Sequence, residues 1–148
     1  MGLFDSVKRG FSKPAPVHQP DESQRAAQES EPVPMIVPEI QPADLIPLQR
    51  AGEAPNFIDC REPFEWQQVR IPGSLHIPMN QIPLRLTELD KDEEWVVVCA
   101  HGNRSYSVAG YLIVNGYKAS SLAGGVTDWW MRGGEVESDS GTPNSPAG

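Results

Sequence analysis

The stretch Trp95-Val96-Val97-Val98-Cys99-Ala100-His101-Gly102-Asn103-Arg104-Ser105 decides how this chain is read. Its first part is apolar without alternation, which predicts a strand covered on both faces, as in a parallel sheet. A tight polar loop follows. From Ser105 to Gly116, Tyr106, Val108, Ala109, Leu112 and Ile113 form an apolar stripe at helical spacing, and Gly116 is a natural stop. Cys99 is thus carried by a buried strand into a loop that runs straight into a helix. Backbone N–H groups at a helix N-terminus carry partial positive charge, which favours a thiolate and bound anions.

Outward from this stretch, strand-like and helix-like pieces alternate. Pro42-Ala43-Asp44-Leu45 predicts a helix start, with Pro and Asp suited to the first turn. Strands are expected at 56–60, 74–77, 95–99 and 117–122. Helices are expected at 63–68, at 82–89 with Pro83 near its start, and at 125–132 before Gly133-Gly134. This order predicts an α/β domain, a parallel sheet with helices on both faces. In such sheets ligands bind beyond the carboxyl ends of the strands, where Cys99 falls.

The 148 residues suit one domain with tails. The net charge of −8 argues against electrostatic binding of nucleic acid. No apolar run approaches the ~20 residues of a membrane span, and no secretory signal is visible. Two cysteines define no disulfide framework, and no Cys/His cluster has zinc spacing. Thiols kept reduced in a cytoplasm are the expected setting. Residues 1–37 hold five of the 15 prolines with many Gln, Glu and Ser, and are expected to be an N-terminal arm, disordered from about residue 12. Residues 38–136 are the expected domain, and 137–148 a Ser/Gly/Pro-rich tail. Within the arm, Leu3, Phe4, Val7 and Phe11 recur at helical spacing beside Lys8 and Arg9. This is read first as a frayed terminus, with a short helix touching a membrane surface or a partner as the alternative. Met1-Gly2-Leu3-Phe4-Asp5-Ser6 also fits the short myristoylation pattern.

Four segments, in order, carry a family resemblance: Ile58-Asp59-Cys60-Arg61-Glu62-Pro63-Phe64-Glu65-Trp66, Ile71-Pro72-Gly73-Ser74-Leu75-His76-Ile77-Pro78, Val96 to Ser105, and Leu122-Ala123-Gly124-Gly125-Val126-Thr127-Asp128-Trp129. Together they resemble the rhodanese-like sulfurtransferases, of the single-domain thiosulfate type. The resemblance implies a central parallel sheet of about five strands and an enzyme that needs no cofactor. It implies that Cys99 is the nucleophile, taking sulfane sulfur from a donor such as thiosulfate as a persulfide. A thiol, or cyanide in the assay, then removes that sulfur. Ala100, His101, Gly102, Asn103 and Arg104 form the loop around it, whose N–H groups suit a persulfide and a departing sulfite. Phosphatases related to this fold place five residues between cysteine and arginine. Here four separate Cys99 from Arg104, the shorter sulfur-type loop.

Other residues have plainer alternatives. His101 is a loop residue with an exposed ring, or a group that attracts anions and moves protons. Arg104 is assigned to the site, with an ion pair to Glu62 or Glu65 as the alternative. Asp59, Arg61 and Ser105 are expected to support the site, Asp59 by structural hydrogen bonding. Cys60 is read as a valine-sized core residue, with a resolving thiol as the alternative. Arg70 is given no function. Trp129 and Trp130 are expected to pack the last helix under the sheet, and Gly124-Gly125 to allow a tight turn. The leading function is thiosulfate-type sulfur transfer to a small thiol. The alternative is a persulfide carrier or redox-binding module that receives sulfur from a partner, thioredoxin-like or of a sulfur relay. A regulatory domain without turnover is opposed by the intact Cys99, and a low-molecular-weight phosphatase by loop length.

Overall fold

The computed structural model describes residues 14–16 and 36–141. Residues 36–141 carry the fold. The expectations for the arm's helix, its myristoylation pattern and the last seven residues lie outside the described residues.

Five strands form one parallel sheet: β1 (Glu39–Ile40), β2 (Asn56–Asp59), β3 (Leu75–His76), β4 (Glu94–Val98) and β5 (Lys118–Leu122), in the order β1-β5-β4-β2-β3. The α-helices are α1 (Pro42–Arg50), α2 (Pro63–Gln68), α3 (Asn103–Val114) and α4 (Gly125–Met131). The α/β expectation is met, and β4 lies at the centre of the sheet.

The continuous apolar run of β4 is divided between two cores. Trp95, Val97 and Cys99 face a cluster with Val108 and Leu112 of α3, while Val96 and Val98 face one with Leu45 and Ile46 of α1 and Trp129 of α4. Period-two geometry sends alternate side chains to opposite faces, so a strand covered twice must be apolar at every position. Trp129 is fully buried and meets Phe57 edge-on, with ring centroids 5.7 Å apart, as expected of a helix packed under the sheet.

Three local expectations are adjusted. The span 82–89 is two 3₁₀ helices, Met79–Leu84 and Leu86–Glu88, rather than one α-helix. Pro83 inside the first removes a donor that an α-helix would use, and short i→i+3 turns tolerate the loss. Helix α3 begins at Asn103, two residues before the expected Ser105, because Gly102 at φ 102° caps it in the left-handed region. At the ends, Val37 is buried in the core, and Glu137 forms an antiparallel bridge with Arg70. The packed chain therefore extends on both sides of 38–136. Arg70, given no function from sequence, holds this C-terminal strap through Glu137 (3.2 Å) and Asp139 (2.6 Å) while its guanidinium lies over Trp66.

Candidate active site

Cys99 directly follows β4 at its carboxyl end and is 1% exposed. The Gly102 N–H donates to its sulfur at 3.0 Å. The Ser105 hydroxyl lies 3.3 Å from the sulfur. The loop's carbonyls point the opposite way: Val126 N–H donates to Cys99 O (2.8 Å) and Thr127 N–H to Ala100 O (3.2 Å). The first turn of α4 thus takes the carbonyls, which orients the peptide planes of Cys99 and Ala100. Burial opposes ionisation of Cys99, but hydrogen bonds from the Ser105 hydroxyl and from the N–H groups of Ser105, Gly102 and His101 outweigh it. The thiol pKa falls below its ordinary value.

The loop side chains are placed differently from its backbone. His101 and Asn103 are exposed, Ala100 is half-buried and Gly102 is buried. Arg104 forms a bidentate pair with Glu65 of α2, at 2.9 and 2.8 Å. The alternative role weighed for it from sequence is therefore the contact it makes. Glu65 Oε2 also accepts the Glu62 N–H at 2.8 Å, completing a capping box at the start of α2. The Arg104 hydrogen bond holds the Glu65 carboxyl down to about 2. A depressed carboxylate stabilises the fold fully above its ordinary pKa of 4.5, and that contribution fades as the pH falls from there toward 2. Glu65→Gln is expected to flatten the acid-side slope of melting temperature against pH over this window. An unchanged slope refutes the assignment.

Asp59 and Arg61 turn on one another beneath the site. Asp59 accepts from the Arg61 backbone N–H (3.0 Å), Nε (3.0 Å) and Nη2 (2.8 Å), both residues being almost wholly buried. Arg61 also donates to the Glu65 and Val69 carbonyls, tying the end of β2 to α2. This is a structural pair. Asp59→Ala would leave a buried guanidinium without its counter-charge, at a cost of about 3–5 kcal/mol. Urea unfolding measures it, and a loss under ~1 kcal/mol would contradict the placement.

Cys60 is buried in the same core cluster as Cys99. Its thiol is pushed up to about 12, first by burial and then by the charges of Cys99 and Asp59. A thiol so rarely ionised is a poor nucleophile, which supports the core-residue reading. Ser121 of β5 escaped the sequence reading. Its hydroxyl is buried 2.8 Å from that of Ser105. The available signal was a polar residue at an inward position of a strand.

A buried, hydrogen-bonded cysteine at the carboxyl end of a central parallel strand, in a short loop followed by a helix, defines an α/β domain with a thiol of lowered pKa at the ligand-binding end of its sheet. The chain belongs to the rhodanese-like domain family, whose model matches residues 42–132. It is 39% identical over 95 residues to a putative sulfurtransferase, YtwF, of Bacillus subtilis, covering 64% of this chain and 92% of that one. It is 38% identical over 74 residues to the thiosulfate sulfurtransferase GlpE of Pseudomonas syringae, covering 49% of this chain and 70% of that one. Among solved structures, a rhodanese-like domain protein from Staphylococcus aureus superposes with a TM-score of 0.60 at 32% identity, covering 63% of this chain and 91% of that one.

Proposed function

We propose that this protein is a sulfurtransferase that moves sulfane sulfur from thiosulfate, or a donor like it, through a persulfide on Cys99. The observation that carries the reading is the Cys99 sulfur itself, with the Gly102 N–H 3.0 Å away and the Ser105 hydroxyl 3.3 Å away. The thiolate attacks the outer sulfur of thiosulfate. A new S–S bond forms at Cys99, the old one breaks, and its electron pair leaves on sulfite. An acceptor thiolate then attacks the outer sulfur of the persulfide, and Cys99 departs as thiolate. The negative charge sits on sulfur before and after each step, where fixed backbone dipoles lower its energy without having to reorganise.

Loop size supports sulfur over phosphorus. Four residues between Cys99 and Arg104 leave a small cradle, and the arginine that would clasp a phosphate is occupied by Glu65. Loop composition supports thiosulfate over mercaptopyruvate, since Ala100-His101-Gly102-Asn103 departs from the Cys-Gly-Ser/Thr-Gly pattern of mercaptopyruvate enzymes.

The test is a donor panel. Reduced protein is incubated with thiosulfate, mercaptopyruvate or glutathione persulfide, and intact mass is followed with and without cyanide. One added sulfur atom on Cys99 from thiosulfate, discharged as thiocyanate, is the expected result. No added sulfur from any donor overturns the function. Loading only from the persulfide overturns the donor and favours a carrier fed by a partner.

A further inference from the structure

Ser121 stands in β5 in register with Val97 of β4, so its side chain shares the face that carries Cys99 two residues further on. Its hydroxyl is 2.8 Å from that of Ser105, and the Ser105 hydroxyl is 3.3 Å from the Cys99 sulfur. Both serines are wholly buried. Buried hydroxyls are costly unless hydrogen-bonded, so a serine pair in an otherwise apolar layer calls for a reason. Here the line of oxygens ends on a sulfur.

We propose that Ser121 is a positioning residue for Cys99: through Ser105 it keeps a hydrogen-bond donor on the sulfur and so sets how readily that thiol ionises. With the thiol protonated, S–H donates to Ser105, whose own hydroxyl donates to Ser121. When the proton leaves, the order reverses. Ser121 donates to Ser105, and Ser105 donates to the thiolate. Only hydroxyl hydrogens rotate, so the site meets both charge states without moving a heavy atom. Each bond in such a chain polarises the next, which makes the Ser105 donor stronger with Ser121 behind it. Strand β5 is paired to β4 on one side and β1 on the other, so the far end of the chain is held in place.

Other titratable and charged groups belong to the elements around Cys99. Cys60 directly follows the neighbouring strand β2, whose last residue, Asp59, is neutralised by Arg61. Arg104 at the start of α3 is paired with Glu65, and His101 belongs to the loop. Substituting Ser121 alters none of their charges. The inference rests on Cys99 being the reactive thiol, but ionisation can be measured whether or not sulfur is transferred.

The experiment follows alkylation by iodoacetamide against pH in a Cys60→Val background, which leaves Cys99 as the single thiol. Ser121→Ala is expected to raise the midpoint by about 0.5–1 pH unit and to slow alkylation about three- to tenfold below it. Ser121→Thr, which keeps a hydroxyl, is expected to restore most of the shift. In a Ser105→Ala background, Ser121→Ala should change nothing further, because the link is already cut. A residue that merely fills space would not show this pattern. An unchanged midpoint in Ser121→Ala, or an equal rise with Ser105 absent, overturns the proposal. Circular dichroism checks folding, and Ser121→Gly repeats the deletion with different packing should Ser121→Ala fail to fold. Absence of sulfur loading on the wild-type protein, together with the expected midpoint shift, would overturn the proposed function and leave this inference standing.

Discussion

Cys99→Ser is expected to abolish sulfur transfer, with a loss of at least about a thousandfold and no added sulfur on the protein by intact mass. The substitution exchanges one atom. The serine oxygen can still accept from the Gly102 N–H and meet the Ser105 hydroxyl, so the loop keeps its framework. What disappears is the proposed nucleophile. A hydroxyl does not ionise in this pH range, and hydrogen bonds that lower a thiol's pKa past its burial cannot bring an alcohol to the same state. Stability should change by less than about 1 kcal/mol, which separates a chemical loss from a structural one. Measurable thiosulfate turnover in this variant would remove Cys99 from the centre of the mechanism.

Gly125→Ala is expected to cost about 2–5 kcal/mol of stability. Gly125 has φ 64°, and a Cβ there would lie 2.3 Å from the Cys99 carbonyl oxygen and 2.4 Å from that of Ala100. The left-handed backbone alone accounts for about 1–2 kcal/mol. The remainder is backbone against backbone, which no rotamer change relieves. Moving the α4 turn away would also break the Val126 and Thr127 bonds to those same carbonyls, so activity should fall with stability. Gly73→Ala is the control. Its φ is 77° with nothing within 4 Å of the added methyl, so it carries the conformational term without the collision. Equal losses from the two variants, measured by urea unfolding, would show that the close approach of α4 to the loop contributes nothing.

Much of the site could be read locally. Val96, Val97 and Val98 announce a strand covered twice, and the count from Cys99 to Arg104 is a property of adjacent residues. The short α2 was legible at Pro63 to Gln68 because a proline at the first helical position is a local signal. The 82–89 span misled because leucine and isoleucine spacing alone does not distinguish an α-helix from consecutive 3₁₀ turns around Pro83.

The alternation of the elements from β2 onward, the strand–loop–helix that carries Cys99 and the loop length were legible in the sequence alone, because apolar runs, prolines, glycines and short spacings act over a few residues, whereas the two-residue β1 (Glu39–Ile40) gave no such signal. The tertiary structure decided who meets whom. Arg104 finds Glu65 across 39 positions, and Ser105 finds Ser121 across 16. Those meetings depend on strand order and register, in which β5 lies beside β4 and β2 on its other side. Crossover connections set that order through the packing of two cores, and no short stretch of chain carries that information.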